Sequence, residues 1–398
     1  MAKVLFVWEM GGKLGHILRL HTLASALNQL GHNVTIATPH KYALQHIQQQ
    51  FTLPYKTQLL SQRDLKPKHF PRKPANFSEL LLLSGVVDSA NLALQISDTQ
   101  NLCRTLFPDL VVCDAAPITQ LITTQAGIAT VNMGDGFFAP PPYSPLPAFP
   151  NQNQITLEVL SQSEHALTTQ LNSSLYNAGY PEISGVSEIF SKSNNLLLTI
   201  EELDIYQHSR GNTDYFGRIP TPASPFCVDI TWKPESKHKI LAYLDGSQPN
   251  IENILEALNE MKADVHIYLY RGEHLTSHIA AYHALHIYHH PLQLEKEMAN
   301  ASLFISNGGH STIVHAITQG VPCIAVPMHQ EQFFTAQKLI DNYLGYGINP
   351  YDSVEKMQER LHQVISSEKI ANQCQTMKKK YQGRDSLAET LDYLHGMI

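Results

Sequence analysis

Short apolar runs alternate with stretches of helical periodicity along the chain, the pattern of a parallel α/β protein. Val4, Leu5, Phe6, Val7 and Trp8 read as a buried strand. A helix is predicted from near His16, because Ile17, Leu20, Leu23, Ala24, Leu27 and Leu30 recur at helical spacing before the stop at Gly31. A second strand follows over 34–37, then a helix over 42–50 and a basic, proline-bearing loop over 63–74. One helix is expected over 78–100, a strand over 110–113 that ends on Asp114, a helix over 117–125 and a strand over 128–132. Residues 134–150 form a loop with six prolines among aromatics, which reads equally as an apolar pocket wall or a surface excursion. A strand over 196–200 closes the first half.

Residues 218–238 carry Pro220, Pro222, Pro225 and Pro234 with little periodicity and are expected to be a linker. Strands are then predicted over 240–244, 265–270, 285–288, 303–306 and 323–326, with helical stretches between them. The expected architecture is two parallel αβα domains, 1–217 and 239–384, with a cleft between them, and a final helix over 385–397 marked by Leu387, Leu391 and Leu394.

The most informative stretch is Asn307-Gly308-Gly309-His310-Ser311-Thr312, between the strand over 303–306 and a helix ended by Gly320. Paired glycines permit a tight turn, and a helix that opens there directs free N–H groups and the positive end of its dipole outward. That is an anion site, with phosphate the usual anion, although a plain strand–helix turn needs the same glycines. The first strand–helix unit is not a dinucleotide fingerprint. Met10 stands where GxGxxG needs glycine, and no acidic residue follows the second strand at Thr38 and Pro39.

Composition narrows the classes further. The 398 residues are 43% hydrophobic and 16% charged, with a net charge of -7, which excludes a nucleic-acid footprint. The 21 histidines contain no HExxH pair and are assigned mostly to surface and loops. Cys103, Cys113, Cys227, Cys323 and Cys374 form no CxxC and are expected to be reduced thiols of a cytoplasmic protein. The N-terminal apolar run is too short for a signal peptide, and no run reaches membrane length, which leaves only peripheral membrane contact open.

The run over 303–339 resembles the donor-binding signature of the family 1 nucleotide-sugar glycosyltransferases, the group of macrolide, flavonoid and glucuronosyl transferases. Their pattern is His-Gly-Gly-x-Gly-Thr-x-x-Glu-Ala, then Gly-Val-Pro, then Pro-x-x-x-Asp-Gln. The chain matches it with Asn307 to Ala316, Gly320-Val321-Pro322, and Pro327 to Gln332. Gly15-His16 with Leu23, Ala24, Leu27, Gly31, His32 and Val34 is similar to the family's first strand–helix unit. Tyr243-Leu244-Asp245-Gly246-Ser247 resembles the start of its second domain.

The resemblance implies a GT-B fold, two Rossmann-like αβα domains, with the donor bound mainly by the second and the acceptor by the first. It implies an inverting transfer from a UDP- or dTDP-sugar to a hydroxyl of a small-molecule or lipid-like acceptor, with no cofactor and no metal. His16 takes the base position, where the helix dipole favours the neutral imidazole that can accept a proton. Asp114 matches its carboxylate partner, and Asp135 is the weaker substitute. Ser247, Asn307, Gly308, Gly309, His310, Ser311 and Thr312 stand at the diphosphate positions. His289, His290, Leu292 and His315 stand at the nucleoside positions, and Glu331 and Gln332 at the sugar positions. Two residues depart from the pattern: Asn307 replaces a histidine that contacts diphosphate, and His315 replaces a glutamate that binds ribose hydroxyls. These departures motivate a second reading, a non-catalytic GT-B protein that binds or activates a partner. A nucleotide-sugar epimerase or hydrolase is a third.

Overall fold

The computed structural model describes residues 1–12, 14–69, 72–152, 154–275, 279 and 282–398. The first sheet contains β1 (Lys3–Trp8), β2 (Asn33–Thr38), β3 (Lys56–Leu59), β4 (Leu110–Asp114), β5 (Ala129–Gly134) and β6 (Asn194–Leu197). Its spatial order is β3-β2-β1-β4-β5-β6, with every pair parallel. After their first residues β1 and β2 are continuously buried, and β4 is buried throughout, as strands covered by helices on both faces must be. The second sheet contains β7 (Lys239–Asp245), β8 (Asp264–Tyr270), β9 (Leu285–Tyr288), β10 (Leu303–Ser306), β11 (Cys323–Ala325) and β12 (Gly345–Gly347), in the order β12-β11-β10-β7-β8-β9. Counted from its own first strand, each sheet has the doubly wound order 3-2-1-4-5-6.

The chain divides into two units, Met1–Thr221 with Asp385–Ile398, and Pro222–Arg384. The C-terminal helix Ser386–His395 belongs to the first unit, where Leu394 is fully buried and Tyr393 meets Phe216 edge-on at 5.1 Å. Residues 222–238 pack on the second unit and are not a free connection. Val228 donates its N–H to the Pro291 carbonyl (2.8 Å), and the Lys233 N–H reaches Asp264 Oδ2 (2.6 Å).

Several expectations need correction. β3 and β12 are absent from the hydrophobic pattern because each is a short edge strand with solvent on one side. The helix expected over 78–100 is two, Phe77–Ser84 and Ser89–Leu106, with axes bent by 103° at Gly85. Of the two readings of the loop over 134–150, a plain surface excursion is excluded: Phe137, Phe138, Leu146 and Phe149 are buried, and Phe137 stacks on Phe149 at 5.1 Å. Five histidines, His21, His32, His266, His310 and His315, are buried, a minority of the 21 that leaves the assignment of most to surface and loops standing. Among the described residues no single helix is long and apolar enough to cross a membrane.

Candidate active site

In each sheet one gap separates strands whose connections leave in opposite directions, and ligands of such sheets gather beyond the carboxyl ends of the strands at that gap. In the first unit the gap lies between β1 and β4. The helix Gly15–Gln29 opens beyond β1 with no side-chain cap, and β4 ends on Asp114, which is fully buried. His16 Nδ1 lies 2.9 Å from Asp114 Oδ1. The His16 ring stacks on Trp8 with centroids 5.0 Å apart and meets Phe138 edge-on at 5.9 Å, so packing fixes its plane. Gly11, at φ +87°, lets the backbone approach the other nitrogen; a Cβ there would stand 2.9 Å from His16 Nε2.

Arg19 was not anticipated from the sequence. One turn after His16 on the same helical face, it donates through Nε to Asp114 Oδ2 (2.6 Å) and through Nη2 to Oδ1. Its Nη2 is also 2.9 Å from His16 Nδ1. Burial alone would raise the Asp114 carboxyl, but Arg19 and His16 together outweigh it and hold the group far below the usual carboxylate range. Asp114 can only accept and Arg19 only donate, so the tautomer with Nδ1–H bonded to Asp114 leaves Nε2 as the lone-pair nitrogen, whereas a bond from Arg19 to Nδ1 would place the proton on Nε2.

A second buried set flanks β1. Glu9 accepts from Thr119 Oγ1 (2.7 Å) and faces Arg63 Nη2 at 3.5 Å, and burial pushes its carboxyl up. His40 packs against Trp8 (4.1 Å). Burial first, then the charges of His16 and Arg63, push His40 down to about 4. Asp135 is occupied locally, accepting the Phe137 N–H at 3.1 Å.

In the second unit the gap lies between β7 and β10. The Asn307 side chain ties the strand ends there together. Its Oδ1 accepts the Asp245 N–H (3.0 Å), and its Nδ2 donates to the Val326 carbonyl (3.2 Å) and to Gln248 Oε1. Both amide hydrogens are therefore engaged within the protein. Ser247 donates its hydroxyl to Asp245 Oδ1 (2.6 Å). Gly308 takes φ +80°, and a Cβ would press on the Ala325 side chain (3.3 Å) and on Gln332 (3.4 Å). The helix His310–Thr318 then opens with Gly309 at its cap position and no capping side chain. The first-turn N–H groups of a helix have no intrahelical acceptor, so this end is suited to an anion.

These two units can be compared with known proteins. A model of the glycosyltransferase family 28 C-terminal domain matches residues 251–391. In fold the chain is similar to the glycosyltransferase of kitacinnamycin, with a TM-score of 0.74, 14% identity and coverage of 100% of this chain and 99% of the other. It is likewise similar to CalG4, the calicheamicin glycosyltransferase, with a TM-score of 0.73, 16% identity and coverage of 100% and 98%. Zeaxanthin glucosyltransferase of Pseudescherichia vulneris is 22% identical over 391 residues, 92% of this chain and 91% of that protein. The chain has the GT-B fold. A shorter match, 30% identical over 83 residues, is to the NDP-glycosyltransferase YjiC of Bacillus subtilis (strain 168). It spans only 21% of that relative's length.

The remaining candidate residues of this GT-B chain are placed unevenly. Gln332 is buried in the first turn of the helix Gln330–Asp341 and accepts the Met328 N–H through Oε1 (2.8 Å), while Glu331 beside it is partly exposed. His310 is buried with Nδ1 3.5 Å from Thr335 Oγ1, and Thr312 turns its hydroxyl back to the Gly309 carbonyl (2.8 Å). His315 is buried and its Nε2 lies 3.5 Å from Glu295 Oε2. His289 and His290 are exposed after β9. The Leu292 side chain is buried, and its carbonyl accepts the Tyr243 hydroxyl. Gln248, the partner of Asn307, was missed because an isolated glutamine in a loop carries no pattern.

Proposed function

We propose that the protein transfers a sugar, with inversion, from a nucleoside diphosphate sugar to the hydroxyl of a small or lipid-like acceptor. The observation that carries this reading is the His16 Nδ1–Asp114 Oδ1 pair at 2.9 Å, set at a helix N-terminus beyond the central strands of the first sheet. In the reaction as proposed, Nε2 takes the acceptor O–H proton while that oxygen bonds to the anomeric carbon. The bond from that carbon to the diphosphate oxygen breaks, and the nucleoside diphosphate leaves with the electron pair. Asp114 stabilises the imidazolium that forms. The N–H groups of His310, Ser311 and Thr312 would meet the charge that builds on the diphosphate, a role that preorganised amides can fill.

The known proteins support a nucleotide-linked donor and a small-molecule or lipid-like acceptor by analogy. The glycosyltransferase VinC, with a TM-score of 0.67 and 16% identity over 99% of both chains, was solved in complex with dTDP, and the relative from P. vulneris is named for zeaxanthin. A second reading, a partner-binding protein without catalysis, draws on Asn307, whose amide hydrogens are both committed to Gln248 and Val326.

Calorimetric titration with UDP, dTDP and GDP in the presence of EDTA separates the two. Binding of one nucleotide in the micromolar range is expected. His16→Ala should keep that binding while transfer falls by roughly 10²–10⁴-fold. Binding of none of the three would favour the non-catalytic reading, and unchanged transfer by His16→Ala would remove His16 as the base.

A further inference from the structure

Away from both clusters, at the amino-terminal end of the second sheet, Asp264 and His266 lie on one face of β8, and His286 is paired with His266 across to β9. His266 Nε2 lies 3.4 Å from Asp264 Oδ1, and His286 Nε2 lies 3.5 Å from the same oxygen. The two imidazoles are stacked at 4.6 Å with planes 18° apart, so the exposed His286 ring must tilt for both lone pairs to converge on one ion. The Asp264 and His266 side chains are 0% and 2% exposed. Asp264 Oδ1 and His266 Nε2 face each other at 3.4 Å without meeting hydrogen-bond geometry, and neither has another hydrogen-bond partner, a costly state for buried polar atoms.

The outer atoms of the same groups are anchored. Asp264 Oδ2 accepts the Lys233 N–H (2.6 Å), and His266 Nδ1 is 2.9 Å from the Tyr288 hydroxyl. The Trp232 indole packs edge-on against the His266 ring at 4.7 Å. Each buried side chain is thus oriented by one atom and offers the other, the arrangement that outer partners impose on metal ligands. Ligands about 2.0–2.2 Å from a tetrahedral zinc ion stand roughly 3.3–3.5 Å from one another, as the two nitrogens do from Asp264 Oδ1, and all three atoms lie within 4.8 Å of one another.

We propose that Asp264, His266 and His286 form a binding site for a divalent transition-metal ion of the zinc class. Two imidazole nitrogens and one carboxylate oxygen suit such an ion better than calcium or magnesium, which take oxygen ligands. The side chain of His286 is 43% exposed, so water completes the coordination from the solvent side. The ion holds edge strand β9, through His286, to β8 and to the segment carrying Trp232 and Lys233. Strand β8 runs from Asp264 to Tyr270, so the ion lies about 20 Å along the sheet from the nucleotide-facing end. Its role is structural, and the inference stands apart from the proposed transfer.

The test is titration of chelator-treated, then desalted, full-length protein with Co²⁺ and Zn²⁺. One equivalent of Co²⁺ should bind with the intense visible absorption of a tetrahedral site, Zn²⁺ should displace it, and Zn²⁺ should raise Tm. His286→Ala, at an exposed position, should abolish the absorption and the Tm rise while leaving UDP and dTDP titrations in EDTA unchanged. Tyr288→Phe should weaken the metal by about 10–100-fold, the usual effect of losing an outer partner. Lys233→Met should tighten it, because the Lys233 ammonium, 3.9 Å from Asp264 Oδ1, competes for that oxygen. Absence of tetrahedral absorption in the wild-type protein, or identical uptake by His286→Ala, would overturn the proposal.

Discussion

His40 shows how one buried side chain makes stability depend on pH. Burial and the neighbouring charges of His16 and Arg63 lower it from 6.5 to about 4, so the unfolded chain binds more protons than the folded one across that window. Its contribution is complete above about pH 6.5 and is lost as the pH falls toward 4. The denaturant midpoint of the wild type should therefore drop across this range. His40→Gln should drop less steeply, with a residual slope because burial also lowers His21 and His46. Equal slopes for the two proteins would mean that His40 is not the group that titrates. His16 and Asp114 were legible in the sequence as residues at a helix start and a strand end. Arg19 was not, because a guanidinium one turn along a helix is ordinary until the carboxylate it reaches is known.

Among elements, the turn from β10 into the helix His310–Thr318 depends most strictly on residue type. Gly308→Ala would force an L side chain into φ +80° against Ala325 and Gln332. The expected cost is about 1–2 kcal/mol of stability, together with weaker nucleotide binding, measured by urea unfolding and calorimetry. Full stability with normal binding would show that the turn relaxes and that its geometry matters less than inferred here. The glycines announced this turn because their spacing is local. Strands β3 and β12 escaped notice because an edge strand with a solvated side needs no apolar alternation. The break between the helices Phe77–Ser84 and Ser89–Leu106 was masked for the opposite reason: apolar residues continue through it, and Gly85 and Asp88, the cap residues on its two sides, are its local signals.

At the scale of the molecule, the first unit is discontinuous in sequence, completed by Asp385–Ile398, whereas the second is one stretch, Pro222–Arg384. The two tryptophans, Trp8 and Trp232, fall one in each unit, which provides separate reporters. Leu394→Ala removes a fully buried side chain from the C-terminal helix and should destabilise the first unit by about 2–5 kcal/mol. In a Trp232→Phe background, Trp8 emission should follow that loss. In a Trp8→Phe background, the Trp232 transition should stay in place. A shift of both would show that the units unfold as one.

The sequence alone determined the alternation of strands and helices, the glycine turns and the placing of His16 and Asp114 at element ends, because each follows from periodicity or backbone freedom within about ten residues. Only the tertiary structure decided which ends meet. The order β3-β2-β1-β4-β5-β6 brings Asp114 beside the helix that follows β1, although His16 and Asp114 are 98 residues apart. The same kind of adjacency engages the Asn307 amide with Gln248 and Val326 and sets His286 against Asp264 and His266. Strand order and register come from packing the whole sheet, and no local spacing encodes them.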